Sequence, residues 1–133
     1  HPKRPQDGID PAVPSYFFLI VRGGEAIGSV DLRLGYTPLL FYAGNIGYDV
    51  LESQRGHGYA GRACRLLWPV LRHHGMGCAV ITNDGENAAS RRVCEKLGAR
   101  LLCQADVPET MPMYAHGLHR ANIFLMEDAA CGL

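Results

Sequence analysis

The sequence predicts a mixed α/β (α+β) domain, a sheet with flanking helices, on three observations. Two runs rich in β-branched and aromatic residues, "SYFFLIV" and "AIGSVDLRL", are separated by Arg22-Gly23-Gly24-Glu25, and Gly-Gly between such runs signals a hairpin. Two later segments carry apolar residues at the three-to-four-residue spacing of amphipathic helices. Between them, "CAVIT" (78–82) is a short continuous apolar run of the kind found inside a sheet.

Taken in order, "HPKRPQDGIDPAVP" is rich in Pro and charge and reads as a tail or linker over 1–14, with the single domain following over 15–133. Strands are expected near 16–21 and 26–34. "GYTPLLFYAG" holds Pro38 and two glycines and is expected to be a loop. "NIGYDVL" (45–51) is a third strand. From Tyr59 onward Ala63, Leu66, Leu67, Val70 and Leu71 form a helical stripe, stopped by Gly75 and Gly77 and bent where Pro69 removes a donor. "NDGENAASRRVCEKLGAR" has Asn and Asp as caps, a stripe of Ala89, Val93 and Leu97, and Gly98 just past it, so a second helix is expected over about 87–97. "RLLCQAD" and "RANIFLMED" close the sheet, with "VPETMPMYAHGLH" between them.

Composition excludes several classes of function. The 13 Lys and Arg balance 13 Asp and Glu without a block of like charge, so neither a nucleic acid nor another polyanion is indicated as a partner. "YFFLIV" is far below the ~20 residues that cross a bilayer, which argues against a membrane segment. The five cysteines form no CxxC pair; an odd number without a disulfide pattern is expected to be reduced thiols in a cytoplasmic protein. His73, His74, His116 and His119 lack the spacing of a metal set, so no metal is expected.

The densest chemistry lies in "ESQRGHGYAGRACRLLWPVL", where Gly56, Gly58 and Gly61 stand between a strand and a helix. A helix start has unpaired N–H groups and partial positive charge, and glycines let an anion approach them closely. Arg55 and Arg62 would add donors shaped for phosphate oxygens. A tight strand-to-helix turn with no ligand accounts equally well for the glycines. The pattern is neither a P-loop nor the dinucleotide fingerprint.

"RGHGYA" (Arg55 to Ala60) is similar to the R/Q-x-x-G-x-G/A signature of the GNAT superfamily of acetyl-CoA-dependent N-acetyltransferases, and "NAASRRVCEKLGA" (Asn87 to Ala99) resembles the helix that follows the next strand there. The resemblance covers about 16–128 and is strongest toward a bacterial branch. It implies a mostly antiparallel sheet splayed between strands 45–51 and 78–82. Acetyl-CoA would lie in that opening as co-substrate. Backbone N–H groups of Gly56, His57, Gly58, Tyr59 and Ala60 would hold the pyrophosphate with Arg55 beside them, Val50 and Leu51 would pair with the pantetheine arm, and Asn83 and Asn87 would bond its amides. Asn87 serves equally as a helix cap. A strand and one or two helices usually precede the strand at 16–21 in this family; the expectation is that they are removed, absent or supplied by a partner subunit, since residues 1–14 read as a tail.

The implied reaction transfers an acetyl group to a primary amine of a small molecule or peptide, by direct attack in a ternary complex. It needs an amine that has lost its proton, a donor for the tetrahedral oxyanion and a way for the thiolate to leave. A backbone N–H near Val50 or Leu51 is the candidate oxyanion donor. Cys94 stands where relatives often have a Tyr that protonates the sulfur, and it is equally explained as core filling. Tyr48 is the first candidate for the base, beside a water-mediated route and a purely structural aromatic. Met111, Met113 and Tyr114 are candidates for an acceptor pocket. Two other readings stay open: a non-catalytic acyl-CoA-binding module and a nucleotide-binding regulator. A homodimer is neither required nor excluded.

Overall fold

A computed structural model describes residues 13–128; the tail expected over 1–14 falls mainly outside these residues, as does Cys131. Strands β1 (Ser15–Arg22) and β2 (Glu25–Arg33) form the expected hairpin. Its turn uses Gly23 at φ +58° and Gly24 at φ +83°, two successive left-handed residues that match the twist of the flanking strands. β2 then pairs antiparallel with β3 (Ile46–Val50), giving a sheet in the order β1-β2-β3.

The expectation of a loop over 35–44 is corrected by a short helix, α1 (Pro38–Ala43). Thr37 accepts from the Leu40 N–H at 3.2 Å and Pro38 occupies the first turn, so both glycines lie outside the helix. The signal was present as Thr-Pro ahead of an apolar run.

Pro69 does more than bend the next helix. The chain forms α2 (Tyr59–Arg65) and α3 (Trp68–His73), with Leu66 and Leu67 between them and Pro69 in the first turn of α3. Proline cannot return a hydrogen bond to the carbonyl four residues back, so the helix divides. After β4 (Cys78–Asp84), helix α4 (Ala88–Leu97) is capped by the Asn87 side chain, which accepts from the Ser90 N–H, and ends on Gly98 at φ +83°. β5 (Arg100–Asp106) and β6 (Arg120–Glu127) follow, with α5 (Pro112–Ala115) in their connection. The second sheet has the order β4-β6-β5, antiparallel throughout.

One buried core joins the two sheets to the helices: Leu32 and Ile46 from the first sheet, Ala79, Ile81 and Phe124 from the second, and Cys64, Leu71 and Cys94 from α2, α3 and α4. A second cluster on the other face of β4 and β6 gathers Val80, Val107, Met113, Ala121 and Ile123 beneath α1. Arg72 of α3 makes a two-pronged pair with the buried Asp128 at 2.7 and 2.8 Å, fastening the chain just past β6 to the helical layer.

Candidate functional site

The two sheets meet at Asn45 and Val80 and part from there. Asn45 N–H donates to the Val80 carbonyl at 2.7 Å, and Val80 N–H donates to Asn45 Oδ1 at 2.8 Å. Beyond this contact the first sheet ends on β3 and the second begins on β4 with no ladder between them among the described residues, the separation of these two strands that the resemblance implied.

Alternation of the main chain decides what faces that opening. Arg33 N–H donates to the Asn45 carbonyl and Leu51 N–H to the Ile27 carbonyl. Residues 45, 47, 49 and 51 therefore face β2, and Ile46, Tyr48 and Val50 present their main-chain groups toward β4. Val50 thus offers its N–H to the opening, while its carbonyl accepts from Arg55 Nε at 2.8 Å. Leu51 turns the other way: its N–H is bonded to the Ile27 carbonyl, and its carbonyl accepts from Gln54 N–H at 2.8 Å.

On the facing strand the same alternation turns Val80 and Thr82 toward β3 and Ala79, Ile81 and Asn83 toward β6. Asn83 is a buried residue. It is 6% exposed, donates from Nδ2 to Cys94 Sγ at 3.5 Å and accepts on Oδ1 from Asn122 at 3.0 Å, so its amide is spent inside the core. The main chain of Thr82 is what β4 presents there, and sequence reading missed it because strand parity is fixed by the pairing with β6.

At the mouth of the opening, "RGHG" runs from a 3-10 turn (Glu52–Gln54) into α2. Gly56 stands at φ +85° and Gly58 at φ +78°, the latter entering α2 with no side-chain cap. Among the described residues, the N–H groups of Gly56, His57 and Gly58 make no backbone hydrogen bond, and those of Tyr59 and Ala60 are orphaned by position in the first turn. Neither glycine has an atom within 4 Å of where a Cβ would stand; the surface above these donors is open. Arg55 is tied back by its bond to Val50 and by a 3.5 Å contact with Asp49, which leaves its remaining N–H groups beside the loop. Asn87 is exposed, and capping α4 uses only its Oδ1.

The two candidate proton-transfer residues belong to the same part of the core, where Tyr48 packs against the cluster that holds Cys94. The Tyr48 hydroxyl lies 2.7 Å from Ser90 Oγ on α4 and donates to the Ser90 carbonyl at 3.4 Å. Burial pushes the Tyr48 phenol well above its usual range, and burial pushes the Cys94 thiol up to about 11. Both hold their protons at neutral pH. Cys94 is 0% exposed and its Sγ accepts from Asn83 Nδ2.

Elsewhere, Met113 is a core residue of the second cluster, with Met111 and Tyr114 half-buried against it. Tyr114 stacks on His119 at 4.1 Å. Among the described residues no group of three His, Cys, Asp or Glu side chains is placed to hold a metal, and no helix is long and apolar enough to cross a membrane. Cys64, Cys78, Cys94 and Cys103 are free thiols.

A family model of the acetyltransferase (GNAT) domain matches residues 6–100. Among solved structures, the chain is similar to the Salmonella typhimurium acetyltransferase that modifies the N-terminal serine of 50S ribosomal subunit protein L7/L12, with 22% identity, a TM-score of 0.65, and coverage of 85% of this chain and 63% of that one. It is similar to the microcin C7 self-immunity acetyltransferase MccE in complex with acetyl-CoA and AMP, with 19% identity, a TM-score of 0.64, and coverage of 85% and 61%. It is also similar to the ribosomal-protein-S5-alanine acetyltransferase of Vibrio fischeri, with 18% identity, a TM-score of 0.66, and coverage of 86% and 62%. The chain therefore spans 61% to 63% of the length of these structures. No curated protein matches the sequence.

Proposed function

The chain belongs to the GNAT acetyltransferase family, and from that premise we propose that it binds acetyl-CoA between β3 and β4 and transfers the acetyl group to a primary amine. The observation that carries this reading is the run of unpaired N–H groups from Gly56 into the first turn of α2, open to solvent and adjoining the unpaired edges of β3 and β4. Gly56, His57, Gly58, Tyr59 and Ala60 hold the pyrophosphate with Arg55 alongside. Val50 N–H and the Thr82 main chain border the pantetheine arm, and the free Nδ2 of Asn87 reaches its amide end.

In the reaction the amine nitrogen attacks the acetyl carbonyl carbon, the oxyanion is met by Val50 N–H, and the C–S bond breaks. Tyr48 protonates the departing sulfur, with Ser90, hydrogen-bonded to it, completing the path by which its proton is replaced, while water takes the proton from the amine. The acceptor is a primary amine of a small molecule or a peptide; two of the similar structures are named for a serine or alanine of a ribosomal protein.

One observation favours a second reading, a non-catalytic acyl-CoA-binding module: Cys94, at the position where relatives often carry a Tyr, is 0% exposed in the core. Calorimetric titration with acetyl-CoA, with ATP and NAD as controls, tests the site first. Selective binding of acetyl-CoA is expected; preference for ATP or NAD would replace this reading by a nucleotide-binding one. Release of free thiol in the presence of an amine panel then separates the enzyme from the module.

A further inference from the structure

Asn45 belongs to both sheets at once. In an antiparallel ladder it would exchange two main-chain hydrogen bonds with Arg33, the residue opposite. Only one of these is made: the Asn45 carbonyl accepts from Arg33 N–H at 2.6 Å. The Asn45 N–H turns across the gap to the Val80 carbonyl, and the side chain takes over the missing bond, Nδ2 donating to the Arg33 carbonyl at 2.9 Å and to the Gly35 carbonyl at 2.8 Å. Oδ1 accepts from Val80 N–H. The residue is 0% exposed and every polar group it carries is engaged. Its neighbours, two carbonyls on one side and an N–H on the other, decide which end of the amide is which.

The preceding residue permits the approach. Gly44 stands at φ +84°, and a Cβ there would come within 3.1 Å of Thr82 N and 3.3 Å of the Val80 carbonyl. Arg33 Nη1 donates to the Gly44 carbonyl at 3.2 Å. β3 is thus pinned to β4 at one residue, and because Val80 N–H is satisfied by a side chain, the main chain of β3 need not follow β4 any further.

We propose that Asn45 is a positioning residue for cofactor binding, which sets the width of the opening by ending the pairing of β3 with β4 at Val80; this rests on the reading that acetyl-CoA occupies that opening. Aspartate lacks the two donors, serine lacks reach, and glutamine adds a methylene to a slot with no free space. Val50 N–H and the Thr82 main chain remain available to an extended ligand because this one amide holds their strands apart and in register.

The test uses the full chain with Asn45→Ala, Asn45→Ser as a milder second variant, and Leu71→Ala as a control that opens a cavity in the same core away from the junction. Without ligand, amide hydrogen exchange at Val80 and over Ile46–Val50 is expected to quicken by at least about tenfold more in the Asn45 variants than in Leu71→Ala of matched stability. With ligand, the Kd for coenzyme A is expected to rise by at least about tenfold in Asn45→Ala and to stay within about twofold in Leu71→Ala. The proposal is overturned if the unaltered chain binds coenzyme A and the Asn45 variants bind it equally well, or if Leu71→Ala loses affinity in step with its stability. An unaltered chain that binds no coenzyme A defeats the reading of the opening itself, and this proposal with it.

Discussion

Gly58 enters α2 at φ +78° with open space where a side chain would project. Replacing it with valine puts a β-branched residue in a conformation it resists and places methyl groups over the orphaned N–H groups. Gly58→Val is expected to abolish coenzyme A binding in calorimetry while the circular dichroism spectrum keeps its native shape. Tyr48 invites a different prediction, because its hydroxyl is hydrogen-bonded to Ser90 on α4. Tyr48→Phe is expected to lower kcat by at least about tenfold with the Kd for coenzyme A unchanged, the mark of a group that acts on the departing sulfur. An unchanged rate would assign Tyr48 to the core. The signature glycines and Arg55 were legible in the sequence as a pattern. The fates of Leu51 and Asn83 were not, because both are decided by which neighbouring strand claims their hydrogen bonds.

At the scale of elements, local chemistry was the better guide where a cap could be read directly. Asn87 and Gly98 bound α4 as their residue types demand, and Gly23-Gly24 turns the first hairpin. Thr37 and Pro38 carry the same kind of information for α1, overlooked because the surrounding glycines suggested a loop. Thr37→Ala is expected to cost about 1 kcal/mol of stability in urea unfolding by stranding the Leu40 N–H. Asn87→Ala removes the equivalent bond to Ser90 N–H and should cost a similar amount, about 1 kcal/mol. It differs from Thr37→Ala in also weakening coenzyme A binding if its free Nδ2 contacts the pantetheine arm. The division between α2 and α3 follows from the bond that Pro69 cannot make, and the stripe of apolar residues alone could not distinguish a bent helix from two.

Across the whole molecule, the shared core stores a pH dependence. An ordinary thiol ionises near 9.0, whereas burial holds Cys94 up to about 11 and Cys64 up to about 12. Their contribution to stability is complete below about pH 9, where thiols are protonated in both folded and unfolded chains. It declines as pH rises toward the folded-state values, because the unfolded chain then releases protons that the folded chain retains. Melting temperature is expected to be flat between about pH 7 and 8.5 and to fall above about pH 9, by about 1.4 kcal/mol of stability per pH unit for each thiol at most; a Cys64→Ala, Cys94→Ala double variant should show a shallower fall. By itself the sequence determined the order of the six strands, the hairpin turn, the caps of α4 and the Gly-rich entry to α2, because each depends mainly on residues within a few positions of one another. Only the tertiary structure decided that Asn45 reaches Val80, that Leu51 bonds to Ile27, that Asn83 turns into the core and that Tyr48 meets Ser90. These depend on partners 11 to 42 positions apart, and no local pattern specifies which of two neighbours a strand edge will bond.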